Sequence, residues 1–210
     1  METIYKAPDW LHRPANINTA KLQTIQLELL QVAKKVIHDI DNSPSQFINI
    51  DDLDMIKSLC PILMSELDRL GLTDLFFMIS LITLREGSYF PIHVDYPDPI
   101  RLSFGLNIPV LNCKDSYTIW YDAKVLPHLY LPSYIMTSAL VSTAMPCDET
   151  TAIELDRIEC STPSWVNNHI PHKPHCNHNK FRINASLRFT NHIYEMIDNG
   201  YFEQHLVKHD

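Results

Sequence analysis

The chain has 210 residues, 45% of them hydrophobic and 20% charged, a balance that excludes a disordered polymer and suits one domain large enough to bury its own core. A formal charge of -8, with no lysine or arginine run, argues against nucleic acid as the partner. Met1 to Pro8 lack the basic start and apolar stretch of a secretory signal, and no segment is apolar for long enough to cross a bilayer, so the expected setting is cytoplasmic, away from membranes.

In chain order, the first expected element is an amphipathic helix over Thr19 to Asp41. Leu22, Ile25, Leu29, Val32, Val36 and Ile40 recur there at three- and four-residue steps, and Asn18 or Thr19 is placed to cap it. A break at Ser43-Pro44 follows. A second helical stretch then runs from a cap at Asp51 or Asp52 through Leu53, Ile56, Leu59, Leu63, Leu67 and Leu70 to Gly71, with Pro61 kinking or splitting it.

After Gly71 the pattern changes to short β segments, expected at Leu75 to Arg85, Leu102 to Leu111, Ser116 to Tyr121, Ala152 to Cys160, Trp165 to His169 and Lys180 to Thr190. Leu102, Phe104, Leu106, Ile108 and Val110 alternate with Arg101, Ser103 and Asn107. With only 4 glycines, the turns fall to Pro, Asn and Asp. Helices followed by many short strands predict an α+β, mainly β, domain: a helical buttress over residues 1–72, a sandwich or jelly-roll core over 73–190 and a helical tail over 191–210. Lys124 to Thr151 reads either as an insertion covering an opening in that core or as two extra strands. Cys60, Cys113, Cys147, Cys160 and Cys176 are odd in number, scattered and without a Cys-x-x-Cys pair, as expected for reduced packing residues.

The chemistry-bearing residues begin with His93-Val94-Asp95. In a chain with 11 histidines, about one such triplet arises by chance, so its surroundings matter. Gly87 precedes it after a strand, and alternation puts Tyr89, Pro91, His93 and Asp95 on one face of an extended segment. Downstream, His169, His172, His175 and His178 compete as a third metal ligand. The strand that follows places Arg182, Asn184, Ser186 and Arg188 opposite an apolar face, and a buried polar face needs something to bind. Two neutral imidazoles and one carboxylate on iron(II) leave three coordination positions, enough for a chelating 2-oxo acid and oxygen. An arginine suits the far carboxylate of such an acid through its planar fork.

Gly87 to Asp95, Leu102 to Leu111 and Pro163 to Phe189 resemble the iron(II)- and 2-oxoglutarate-dependent dioxygenases, whose core is a double-stranded β-helix, or jelly roll. The run Leu106-Asn107-Ile108-Pro109, with Asn112-Cys113 and Trp120-Tyr121, is similar to small microbial and phage oxygenases and more distantly to aspartyl/asparaginyl and proline hydroxylases. The resemblance implies iron(II) on His93, Asp95 and His172, with His169 the best substitute for the last, and 2-oxoglutarate held at its 5-carboxylate by Arg182. It further implies consumption of oxygen and hydroxylation of an amino acid, free or in a protein, or of a small metabolite, with succinate and carbon dioxide as co-products. Tyr89, Ser103, Asn107 and Asn184 are candidates for co-substrate or substrate contacts. Arg188 would meet a carboxylate of a bound acid or a surface glutamate. Many members have Arg-x-Ser where Arg182-Ile183-Asn184 stands here, and asparagine can still donate a hydrogen bond there. Two other readings fit the same residues: a cupin-like metal-binding jelly roll without oxygenase chemistry, and an interaction module with a vestigial site.

Overall fold

The structure, a computed structural model, describes residues 10–40, 44–88, 90–95, 101–126, 144–177, 180–190 and 192–202. Three helices precede most of the strands. α1 (Thr19–Val36) is capped by the Asn18 side chain, which accepts from the Ala20 amide at 2.9 Å, and buries Ile25, Leu29, Val32 and Ala33. It stops before the expected Asp41 because Ile37 turns extended, its own amide still bonding to Ala33. α2 (Leu53–Leu59) is capped by Asp52, and Pro61 splits it from α3 (Pro61–Arg69) by occupying the first helical position, where its missing N–H costs nothing. The open amides of Ile62 and Leu63 at the start of α3 donate to the Glu28 carboxylate of α1, each at 2.9 Å. That caps one helix from the flank of another.

The strands are β1 (His12–Pro14), β2 (Gln46–Ile50), β3 (Phe76–Leu84), β4 (His93–Asp95), β5 (Arg101–Leu111), β6 (Ser116–Asp122), β7 (Ala144–Pro146), β8 (Ile153–Glu159), β9 (Ser164–Asn167), β10 (His172–Cys176) and β11 (Arg182–Thr190), followed by α4 (His192–Asp198). They form a six-stranded sheet in the order β1-β9-β5-β11-β3-β2 and a five-stranded sheet in the order β7-β4-β10-β6-β8. Every pairing is antiparallel. One cavity is lined from both sheets, so they face each other as a sandwich.

Alternation divides the six-stranded sheet sharply. Ile183, Ala185, Leu187 and Phe189 of β11, Phe104, Leu106 and Ile108 of β5, and Ile79 and Leu81 of β3 share one apolar core with the buried faces of α1, α2 and α3. The opposite face of β11 carries Arg182, Asn184, Ser186 and Arg188, all buried, and turns to the five-stranded sheet. The main hydrophobic layer thus lies between helices and sheet, which frees the space between the sheets for polar groups.

Three strands depart from the sequence expectation, the first being β1, which lies within the expected helical buttress and pairs with β9. β2 lies inside the stretch read as helical and pairs with β3 from Gln46↔Thr83 to Ile50↔Ile79; Gln-Phe-Ile-Asn-Ile alternates, but it is short and sits beside a Ser-Pro break. β10 falls in the histidine-rich window and contains Pro174, yet it pairs with β6 along its length. Of Lys124 to Thr151, residues 144–146 form β7 against β4 and Val125 bridges Cys147; residues 127–143 lie outside the described part. All five cysteines are free and buried, and no helix among the described residues is long and apolar enough to cross a membrane.

Candidate metal and anion site

Antiparallel pairing of β10 with β4 sets His172 directly opposite His93, the arrangement that brings side chains closest across a sheet. Their ring centroids are 4.6 Å apart. Asp95, two residues along β4, emerges on the same face. Between them Val94 points the other way, into a small apolar cluster with Ile92 and Cys147, and this fixes the strand's facing. The Asp95 amide donates to the Asn168 carbonyl at 3.1 Å, tying β4 to the loop before β10.

Both imidazoles are oriented by their own backbone. His93 Nδ1 lies 2.9 Å from the Pro91 carbonyl and His172 Nδ1 lies 2.9 Å from the Ile170 carbonyl. A carbonyl only accepts, so each Nδ1 carries a proton and Nε2 is the nitrogen left free to offer a lone pair. Burial first, and then the neighbouring His93, push His172 down to about 4, leaving it uncharged at neutral pH. Burial works to raise the Asp95 pKa, but Arg188, His172 and His93 around it outweigh that and hold the carboxyl below its ordinary value. His93 Nε2 and Asp95 Oδ1 stand 3.7 Å apart, too far for a hydrogen bond. One ligand atom from each of His93, Asp95 and His172 lies within 4.8 Å of the others. Two neutral nitrogens, one anionic oxygen and that spacing fit a divalent ion of the iron(II) class.

The facing strand supplies the second half. Arg182 is 1% exposed, and its Nε and Nη1 have no hydrogen-bond partner. No carboxylate pairs with it among the described residues. A buried guanidinium without a counter-ion is costly, which makes it a standing demand for an anion. Beside it on the same face, Asn184 has both amide atoms unpartnered, as do Ser186 Oγ and Asn107 Oδ1. The cavity between the sheets, with about 380 Å³ of space partly open to solvent, is bordered by His93, Asp95, His172, Arg182, Asn107 and Arg188 among others.

The structure therefore brings His93, Asp95, His172, Arg182, Asn107, Asn184 and Arg188 to one intersheet face. Ser103 lies on β5 with its side chain outside the described part, and Tyr89 lies outside it altogether. Arg188 pairs with a residue the sequence reading did not name for it: its Nη2 is 3.1 Å from Asp95 Oδ2. Of the competing histidines, His169 hydrogen-bonds Tyr194 through Nε2 and packs edge-on to Phe104, while His175 is exposed and bonds Asn177; His178 lies outside the described residues. Sequence reasoning missed Phe47, Thr118 and Asn168 on the cavity wall. Alternation along Gln46–Ile50 and Ser116–Asp122 could have pointed to the first two; Asn168, in a loop, leaves no such signal.

No family model matches the chain, and no curated protein matches it. Among solved structures it is similar to a prolyl-4-hydroxylase from Pseudomonas putida, with 10% identity over 85% of this chain and 90% of that one and a TM-score of 0.41. It is also similar to SnoK, a non-heme alpha-ketoglutarate-dependent carbocyclase from nogalamycin biosynthesis, with 11% identity over 85% of this chain and 78% of that one and a TM-score of 0.44.

Proposed function

We propose that the protein is an iron(II)- and 2-oxoglutarate-dependent oxygenase that hydroxylates an amino acid, free or within a peptide, or a small metabolite. The observation that carries this is Arg182, a buried cation with no carboxylate partner among the described residues, in the same cavity as a His-Asp-His set able to hold a metal. The path of the chain supports a jelly roll: it crosses between the sheets at each step from β3 to β6 and again from β8 to β11, with β6 and β8 paired in one sheet, giving the orders β9-β5-β11-β3 and β4-β10-β6-β8.

In this reading His93, His172 and Asp95 hold iron(II) through Nε2, Nε2 and a carboxylate oxygen. The metal, when bound, supplies the means to activate oxygen with the 2-oxo acid as two-electron reductant. Arg182 fixes the distal carboxylate by charge-assisted hydrogen bonds, and Asn184 is placed to add to them. The polar face of β11 thereby orients the acid along the cavity, while the wall around Phe47 limits water. One oxygen atom enters succinate and the other the substrate, with carbon dioxide released from C1.

The test is succinate formation with iron(II) and 2-oxoglutarate across a panel of amino acids and peptides. Succinate raised by a member of the panel is expected. Metal binding without succinate under any condition would leave the cupin-like binding protein as the better account.

A further inference from the structure

Arg188 reaches the candidate metal site from the other end of β11. Its Nη2 lies 3.1 Å from Asp95 Oδ2, while the other carboxylate oxygen, Oδ1, is the one turned to His93 Nε2 at 3.7 Å. The carboxylate is thus divided, one oxygen engaged by a guanidinium and one presented to the histidines. Gly105 of β5 stands directly opposite Arg188; a Cβ there would collide with Ser186 Oγ on the same face, while at 3.5 Å from Arg188 Nη1 it would be in ordinary contact.

The division matters because of coordination number. A carboxylate that grips a six-coordinate ion with both oxygens leaves, beside two histidines, two open positions; one that grips with a single oxygen leaves three. A chelating 2-oxo acid and oxygen together need three. Resting on the metal-site reading above, we propose that Arg188 is a positioning residue that confines Asp95 to single-oxygen coordination and so keeps the third position open. It acts on the metal only through Asp95.

The experiment counts open positions without any turnover. Manganese(II) is loaded onto the protein, and the water-proton relaxation rate per bound ion is measured in the absence of 2-oxo acid, where water fills whatever the side chains leave free. In Arg188→Met, relaxation per bound ion should fall by about a third, as three exchangeable waters become two. Circular dichroism confirms the fold, and if Arg188→Met does not fold, Arg188→Gln, too short to reach Asp95, reads the same quantity. Unchanged relaxation in a folded variant with saturated manganese overturns the proposal. If the wild-type protein takes up no manganese, or takes it up equally after His172→Ala, the metal-site reading itself falls and the proposal with it.

Discussion

Replacing Arg182 by methionine separates a structural arginine from a ligand-binding one, because the two roles move stability and binding differently. Methionine keeps most of the stem volume and removes only the charge. Among the described residues the guanidinium is 1% exposed with Nε and Nη1 unpartnered; replacing even a paired buried charge by matched apolar side chains gains up to about 1–4 kcal/mol, and Arg182 has no ion-pair attraction to lose. A gain of about 2 kcal/mol raises the melting temperature of a domain this size by about 4–8 °C. With 2-oxoglutarate the sign reverses. Two charge-assisted hydrogen bonds are lost, each about 1.5 kcal/mol at the low end, so affinity should fall roughly 150-fold. Thermal melts without ligand, and calorimetric titration of 2-oxoglutarate into the anaerobic iron(II)-loaded protein, measure the two effects. A variant that melts lower and binds the acid as well as wild type would refute the reasoning.

Three further outcomes follow. His172→Ala should abolish 2-oxoglutarate turnover, whereas His175→Ala, at an exposed position, should keep most of it; equal losses in a succinate assay would show that the wrong histidine is assigned. Burial pushes His169 down to about 4, so between there and its unfolded value near 6.5 the unfolded chain binds the extra proton and stability is lost as the pH is lowered, by about 2 kcal/mol from pH 7 to pH 5. His169→Gln should lessen the measured pH dependence by about that amount in denaturant titrations at the two pH values, His172 keeping its own share, and an unchanged slope would count against the buried neutral ring. Glu66, buried with its carboxylate bound to the Asn18 amide and paired with Lys21 and Arg69, fastens α1 to α3. Glu66→Ala should lower stability by about 2 kcal/mol while 2-oxoglutarate affinity stays within twofold, and a large loss of affinity would contradict a purely architectural role.

What the sequence made legible was whatever depends on period and local chemistry. The alternation of β11, apolar at Ile183, Ala185, Leu187 and Phe189 and polar between, already places Arg182 and Arg188 on the face that turns out to border the cavity. The caps at Asn18 and Asp52 and the split at Pro61 are likewise local signals. β2 was lost because five alternating residues beside a Ser-Pro break do not stand out from a turn. β10 was masked by its histidines and Pro174, since a ligand-bearing strand carries few of the apolar residues by which strands are recognised. The Arg188–Asp95 pair had no sequence signal, because it depends on two sheets facing each other across a distance that strand periodicity does not encode.

The most direct measurement is anaerobic addition of iron(II) and 2-oxoglutarate to the wild-type protein and to His172→Ala, followed in the visible spectrum. A weak metal-to-ligand charge-transfer band in the wild type that is absent from the variant is the predicted result, since a 2-oxo acid chelating iron(II) at this site requires the third ligand. No band in the wild-type protein would contradict the oxygenase account.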